Sequence, residues 1–276
     1  MSTESSSDSR YTMGYDEDFR QLLRRRSAQT HAAHLLPRLE RGQSVLDFGC
    51  GPGTISLGLA QAVDPGHLHG VDMEETQIAL ARSAAESGGH DNVTFHVGNV
   101  NDLPFEDDTF DVAHCHAVLM HIPDTSAALT EVRRVLKPGG FIACREAIVA
   151  SSFLEPGSAE IDRAWAVFTK LLSANGGHPQ LGKELKSALL EAGFEQIRPS
   201  FSFDSFGTND DVEFFYGFIV DWFHSPAVVE AAIKYGLSTA EEFESGRDAL
   251  DAWRKSPGAV GSIGFGECLA AKPRTP

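Results

Sequence analysis

The chain has 276 residues, enough for one α/β domain with insertions that buries roughly three-quarters of its unfolded surface. Its formal net charge of −16, from 23 Lys and Arg against 39 Asp and Glu, argues against a nucleic-acid surface, which needs basic clusters to neutralise phosphates. No apolar run approaches the ~20 residues of a membrane helix and the N-terminus has no signal-peptide core, so no nucleic-acid partner, no stable membrane anchoring and a cytoplasmic location are expected.

In chain order, residues 1–10 are serine-rich and predict a disordered tail. Residues 16–40 read as one or two helices carrying Leu22, Leu23, Ala28, Ala32, Leu35 and Leu36, inside an N-terminal helical segment spanning 11–41. Arg24-Arg25-Arg26 is the one basic run and reads as a solvated helix face. Val45-Leu46-Asp47-Phe48 then predicts a buried strand. The glycines at 49, 51 and 53 form a turn without Cβ atoms, and a helix follows whose free N–H groups favour an anionic ligand group. His67 to Asp72 predicts the second strand. An acid at its tip is where nucleotide-binding α/β folds grip ribose hydroxyls.

Further strands are expected at Val93–Val97, after the acidic loop 106–109, after Lys137-Pro138-Gly139-Gly140, from Phe194 to Phe206 and from about 262 to 272. Helices are expected over 158–174 and from Leu181 to Ala192, the first broken by Gly176-Gly177-His178-Pro179. Residues 208–256 carry a helical pattern rich in aromatics, including Phe214, Phe215, Phe218, Trp222 and Trp253. So long an ordered connection between two strands points to a cap over a site, shared with residues 151–180. Some of the aromatics at 214–223 are expected to face a substrate. The four cysteines lack C-x-x-C spacing, so neither a disulfide framework nor a metal site is expected.

The order Asp47-x-Gly49-x-Gly51-x-Gly53, then Gly98-Asn99-Val100-x-x-Leu103-Pro104-Phe105, Phe110-Asp111, His121-x-x-Asp124 and Arg134-x-Leu136-Lys137-Pro138-Gly139-Gly140, resembles the class I S-adenosylmethionine (SAM) dependent methyltransferases. It is especially similar to the branch holding the ubiquinone and menaquinone C-methyltransferases. The match runs from about residue 42 to 146. The resemblance implies a Rossmann-like seven-stranded sheet, order 3-2-1-4-5-7-6 with strand 7 antiparallel, filling 42–276. It also implies SAM as cofactor and S-adenosylhomocysteine (SAH) as product, and the acidic composition with the aromatic-rich cap points to a small, apolar or aromatic acceptor rather than a nucleic acid.

Carried over by residue, the resemblance puts Gly49, Cys50 and Gly51 at the methionine portion and Asp47 beneath the loop. Asp72 falls at the ribose, Met73 on the adenine face, and Asn99 and Val100 beside the adenine. Asn99 departs from the usual acid, and Asp102 is a candidate substitute. Cys115, His116 and His121 fall near the sulfonium, and Tyr15, with Tyr11, either closes over the cofactor or anchors the first helix. His116, His121 and His178 are the candidates for a general base. Competing readings are a SAM-binding relative with a non-methylating reaction, a non-catalytic SAM-binding partner subunit, and a NAD-dependent oxidoreductase. The last wants G-x-G-x-x-G, where this chain has Thr54. A homodimer is left open.

Overall fold

The computed structural model describes Leu23 and residues 25–274, apart from the side chains of 221–223. The expected tail at 1–10, and Tyr11, Tyr15, Leu22 and Arg24, lie outside the described residues. A parallel sheet forms from β1 (Ser44–Phe48), β2 (His67–Asp72), β3 (Val93–Val97), β4 (Phe110–His116) and β5 (Leu136–Ala147). Short apolar runs on both sides of each backbone are what a sheet covered on both faces demands. One face packs Val45, Val112 and Ala143 against α1 (Ala28–His31) and α2 (Thr54–Val63). The other packs Leu46, Ala113 and Ile142 against α4 (Thr125–Val135) and α6 (Leu181–Glu191). Between β2 and β3 runs α3 (Glu75–Gly88), stopped by Gly89 in the left-handed region.

The sheet is completed by β6 (Phe153–Glu155), β7 (Glu195–Phe206) and β8 (Val260–Ala271). All three lie antiparallel to their partners, in the order β3-β2-β1-β4-β5-β8 with β7 on the far edge of β8. The short β6 is one strand more than the seven expected. It pairs with residues 260–262 of β8 just past the stretch 265–271 that β5 occupies, while β7 covers 261–271 along the other edge. A strand has two edges, so β6 prolongs the β5 edge and the expected order survives with one strand in two pieces.

Residues 208–256 form α7 (Asn209–Phe223), α8 (Pro226–Lys234) and α9 (Ala240–Arg254), which pack with α5 (Ala159–Ala174). α9 opens with a capping box, Thr239 and Glu242 each bonding the other's backbone N–H. The aromatic run is consumed by packing. Phe215 stacks on Phe206 at 4.1 Å, Trp253 is buried with Nε1 donating to Glu155 O, and Phe218 is buried beside them. Gly261 makes room, since a Cβ there would stand 2.5 Å from the Phe215 ring. Among the described residues no helix is long and apolar enough to cross a membrane.

Candidate functional site

The site forms at the C-terminal ends of β1, β2 and β4, where an open α/β sheet leaves a crevice. Gly49, Gly51 and Gly53 all have positive φ, at 68°, 53° and 79°. The three glycines serve different ends. A Cβ on Gly49 would lie 2.3 Å from Val118, and one on Gly53 would strike Phe95 and Ala81, whereas at Gly51 only Leu23 comes near, at 3.9 Å. Gly51 therefore leaves its backbone open to a ligand, while the outer two permit close packing. Gly51 N donates to Asp72 Oδ2 at 2.9 Å and Glu74 N to Oδ1 at 3.0 Å. Burial pushes the Asp72 carboxyl up, against the pull of those two N–H groups.

Asp47 sits underneath rather than on the wall. It is 3% exposed, accepts from Ser56 Oγ, and takes a 2.8 Å bond from His114 Nδ1. Cys50 and Cys115 also lie behind the surface. Cys50 Sγ packs 3.1 Å from where a Cβ on Gly70 would stand, and Cys115 Sγ donates to Glu146 Oε1. Burial raises both thiols well above their ordinary value, so neither serves as a nucleophile.

A cavity open to solvent extends from this loop. Gly49, Gly51, Asp72, Met73, Asn99, Val100, His116 and His121 all line it. Met73 is 60% exposed, an apolar side chain left at a ligand-sized opening. Asn99 Oδ1 accepts from Asn101 N, and Asn101, not Asp102, reaches the cavity wall. His178 does not line it either. Its backbone N donates to Met120 O and its ring bonds Pro123 O at 3.3 Å, so Gly177 faces the cavity in its place. No described residue of 208–256 lines it, because those aromatics pack against β7 and β8; the 151–180 stretch reaches it through Leu172, Asn175 and Gly177.

The wall after β4 is held from behind by Glu146. Its Oε1 accepts Val118 N at 3.1 Å and Leu119 N at 3.0 Å, and its Oε2 accepts Met120 N at 3.1 Å. The turn so gripped includes Ala117 at φ 54° and carries His121. Burial, and then the nearby Arg26, pulls the His121 imidazole down to about 3. His116 is held well below its ordinary value, first by burial and then by Arg26 and Arg145. Neutral imidazoles so hard to protonate are poor proton acceptors at physiological pH.

Sequence reasoning missed Arg26 and Gln77 on the wall, and within the expected cap stretch 151–180 it did not single out Leu172 and Asn175 as the residues that reach it. Gln77 is 1% exposed with no partner on Oε1 among the described residues, an acceptor waiting at the cavity. Nothing in its local sequence separates it from any other polar helix residue. Arg26 had been visible only as part of a basic run.

A family model described as a methyltransferase domain matches residues 39–186. An uncharacterised methyltransferase of Schizosaccharomyces pombe is 32% identical over 200 residues, 70% of this chain and 72% of that one. The demethylmenaquinone methyltransferase of Bacillus pumilus is 36% identical over 112 residues, 40% of this chain and 48% of its own, so this chain spans about half of it. Among solved structures, phosphoethanolamine N-methyltransferase 2 of Haemonchus contortus in complex with S-adenosyl-L-methionine shares the fold. It has a TM-score of 0.52 at 18% identity, covering 87% of this chain and 52% of that one. The cavity fits the cofactor these comparisons imply: a backbone-lined loop, a strand-end carboxylate and an orphaned buried acceptor meet there. With that loop, that carboxylate and that match over more than half its length, the chain belongs to the class I SAM-dependent methyltransferases.

Proposed function

We propose that the chain transfers a methyl group from SAM to a small, apolar or aromatic acceptor held in this cavity. The observation that carries the reading is the composition of the wall. It combines polar backbone and the Asp72 carboxylate with apolar surface from Leu23, Val118, Ile122 and Leu172. Asp72 would take the ribose hydroxyls on the lone pairs left by Gly51 and Glu74. Gln77 Oε1 would accept from the same end of the ligand. Gly49 and Gly51 would present backbone to the methionine portion, with Met73, Asn99 and Val100 around the adenine. SAM supplies a methyl carbon activated by a positive sulfur.

The remaining work is positional: to hold the acceptor in line and keep water away, which can be worth roughly 7–11 kcal/mol. Leu23 and residues 25–41 serve as a lid, since Leu23 and Arg26 reach the wall and Arg25 stacks on Phe214 at 3.7 Å. Four buried free cysteines fit a reducing, cytoplasmic setting.

Calorimetric titration with SAH, with NADH in parallel, tests the cofactor end. Micromolar SAH binding that weakens at least about tenfold in Asp72→Ala is expected, the loss of two or more hydrogen bonds to a charged group. Transfer of a labelled methyl group to a panel of aromatic acceptors tests the rest. SAH binding with no transfer to any acceptor would favour a non-catalytic SAM-binding subunit instead.

A further inference from the structure

The cavity wall carries four ionisable side chains among the described residues: Arg26, Asp72, His116 and His121. Asp72 is committed to Gly51 N and Glu74 N, and among the described residues no other carboxylate lines the cavity. His116, 5% exposed, lines the cavity at the end of β4. Its Nδ1 lies 3.5 Å from Arg145 Nη1. A guanidinium only donates, so Nδ1 must accept and the ring proton resides on Nε2. That N–H is buried and has no partner among the described residues.

The tautomer is not free to change, because Arg145 is immobilised. Arg145 is 1% exposed, donates to Asp204 Oδ1 at 2.7 Å and Ser202 Oγ at 3.1 Å, lies 3.4 Å from Glu267, and stacks over Phe265 at 3.7 Å. An orphaned buried donor is unfavourable, and the buried ionic cluster around Arg145 holds this one as a donor.

Resting on the methyltransferase reading above, we propose that the acceptor is an oxyanion, an ionised phenol or enol, whose oxygen takes a hydrogen bond from His116 Nε2–H, and not an alkylammonium. The charges close without a base. An electron pair of the acceptor forms the bond to the methyl carbon, the methyl–sulfur bond breaks with its pair left on sulfur, and one negative and one positive charge become two neutral products. An alkyl amine would arrive as ammonium at neutral pH. It would need a carboxylate to hold it and a base to deprotonate it, and the described wall offers neither.

The test uses the full chain saturated with SAH, its binding verified first by calorimetry, so that a failed cofactor reading is detected before the acceptor is examined. 4-Nitrophenol, which ionises near neutrality and changes absorbance when it does, is titrated in on both sides of its own ionisation, with 4-nitrobenzylamine as the cationic counterpart. The expected result is phenolate binding at least about tenfold tighter than either the neutral phenol or the amine. That preference should be lost in His116→Leu and partly restored in His116→Asn, whose amide again donates. Nitrogen-15 spectra of the histidine rings in the unsubstituted protein, which need no variant to fold, should place the His116 proton on Nε2. A proton on Nδ1, no phenolate binding, or equal or tighter binding of the amine would overturn the proposal.

Discussion

Gly49 concentrates two demands in one residue. Its φ of 68° and the 2.3 Å that would separate an added Cβ from Val118 both exclude a side chain. Gly49→Ala is therefore expected to cost about 1–3 kcal/mol, for a left-handed non-glycine residue plus the displaced loop. It should also weaken SAH binding, because Val118 itself lines the cavity. Urea unfolding and SAH titration of the variant measure the two effects, and a fully stable variant with unchanged affinity would contradict the packing described here. At this scale the sequence is readable where a residue's chemistry is exceptional. Glycines in a row and an acid at a strand tip announce themselves. Gln77 and Arg26 do not, since their function lies in what the tertiary fold brings opposite them. His116 sits between: its place at the end of β4 is legible, but its tautomer depends on Arg145, twenty-nine positions away.

Between elements, Glu146 at the end of β5 is the tie that shapes the turn after β4. Its two oxygens accept three backbone N–H groups that would otherwise be orphaned at a turn with a strained Ala117. Glu146→Gln replaces one acceptor oxygen with a donor aimed at a donor. We expect a loss of about 2 kcal/mol or more in stability and a several-fold weaker SAH affinity through the displaced Val118 and His121. Denaturant midpoints and calorimetry check this, and unchanged SAH affinity would mean that the turn holds its shape alone. Most strands and the two helices after β6 were legible to within a residue or two because their apolar periodicity is strong: helix 158–174 against the observed Ala159–Ala174, for example, whereas β5 begins at Leu136, ahead of the Pro-Gly-Gly turn expected to precede it. The reading of 208–256 as a substrate-facing cap was less successful for a physical reason. Aromatic residues at helical spacing serve equally to line a pocket or to fill a core. Here Phe206, Gly261 and Trp253 provide the matching surface that draws Phe215 and Phe218 inward. The three residues of β6 are too few for any periodicity to register.

For the whole molecule, the buried histidines set a dependence on acidity. Burial, with neighbouring positive groups, holds His34 and His69 at about 4 and His121 at about 3, against an ordinary value of 6.5. Between pH 6.5 and about 4 the unfolded chain therefore takes up protons that the folded chain refuses, so stability falls as pH falls through that window. The melting temperature should drop steadily from neutral pH to about pH 5, without the acid groups needing to titrate. Replacing His69 by a neutral residue of similar size, such as Asn, should shallow that slope, and a flat profile in the parent protein would contradict the burial of these rings.

The position of β8 has a consequence for how the chain comes into being. Among the described residues it is the last strand in chain order, yet it lies between β5 and β7 and also holds β6. While the polypeptide is being synthesised, the apolar β5 edge and the whole of β7 must wait, unpaired, until the final strand leaves the ribosome. The glycine loop can form early from β1 and β2. Arg145, by contrast, cannot acquire Glu267 and the β7 groups in their final register until β8 has inserted. The nascent protein thus gains its cofactor loop before it gains the donor that waits for the acceptor.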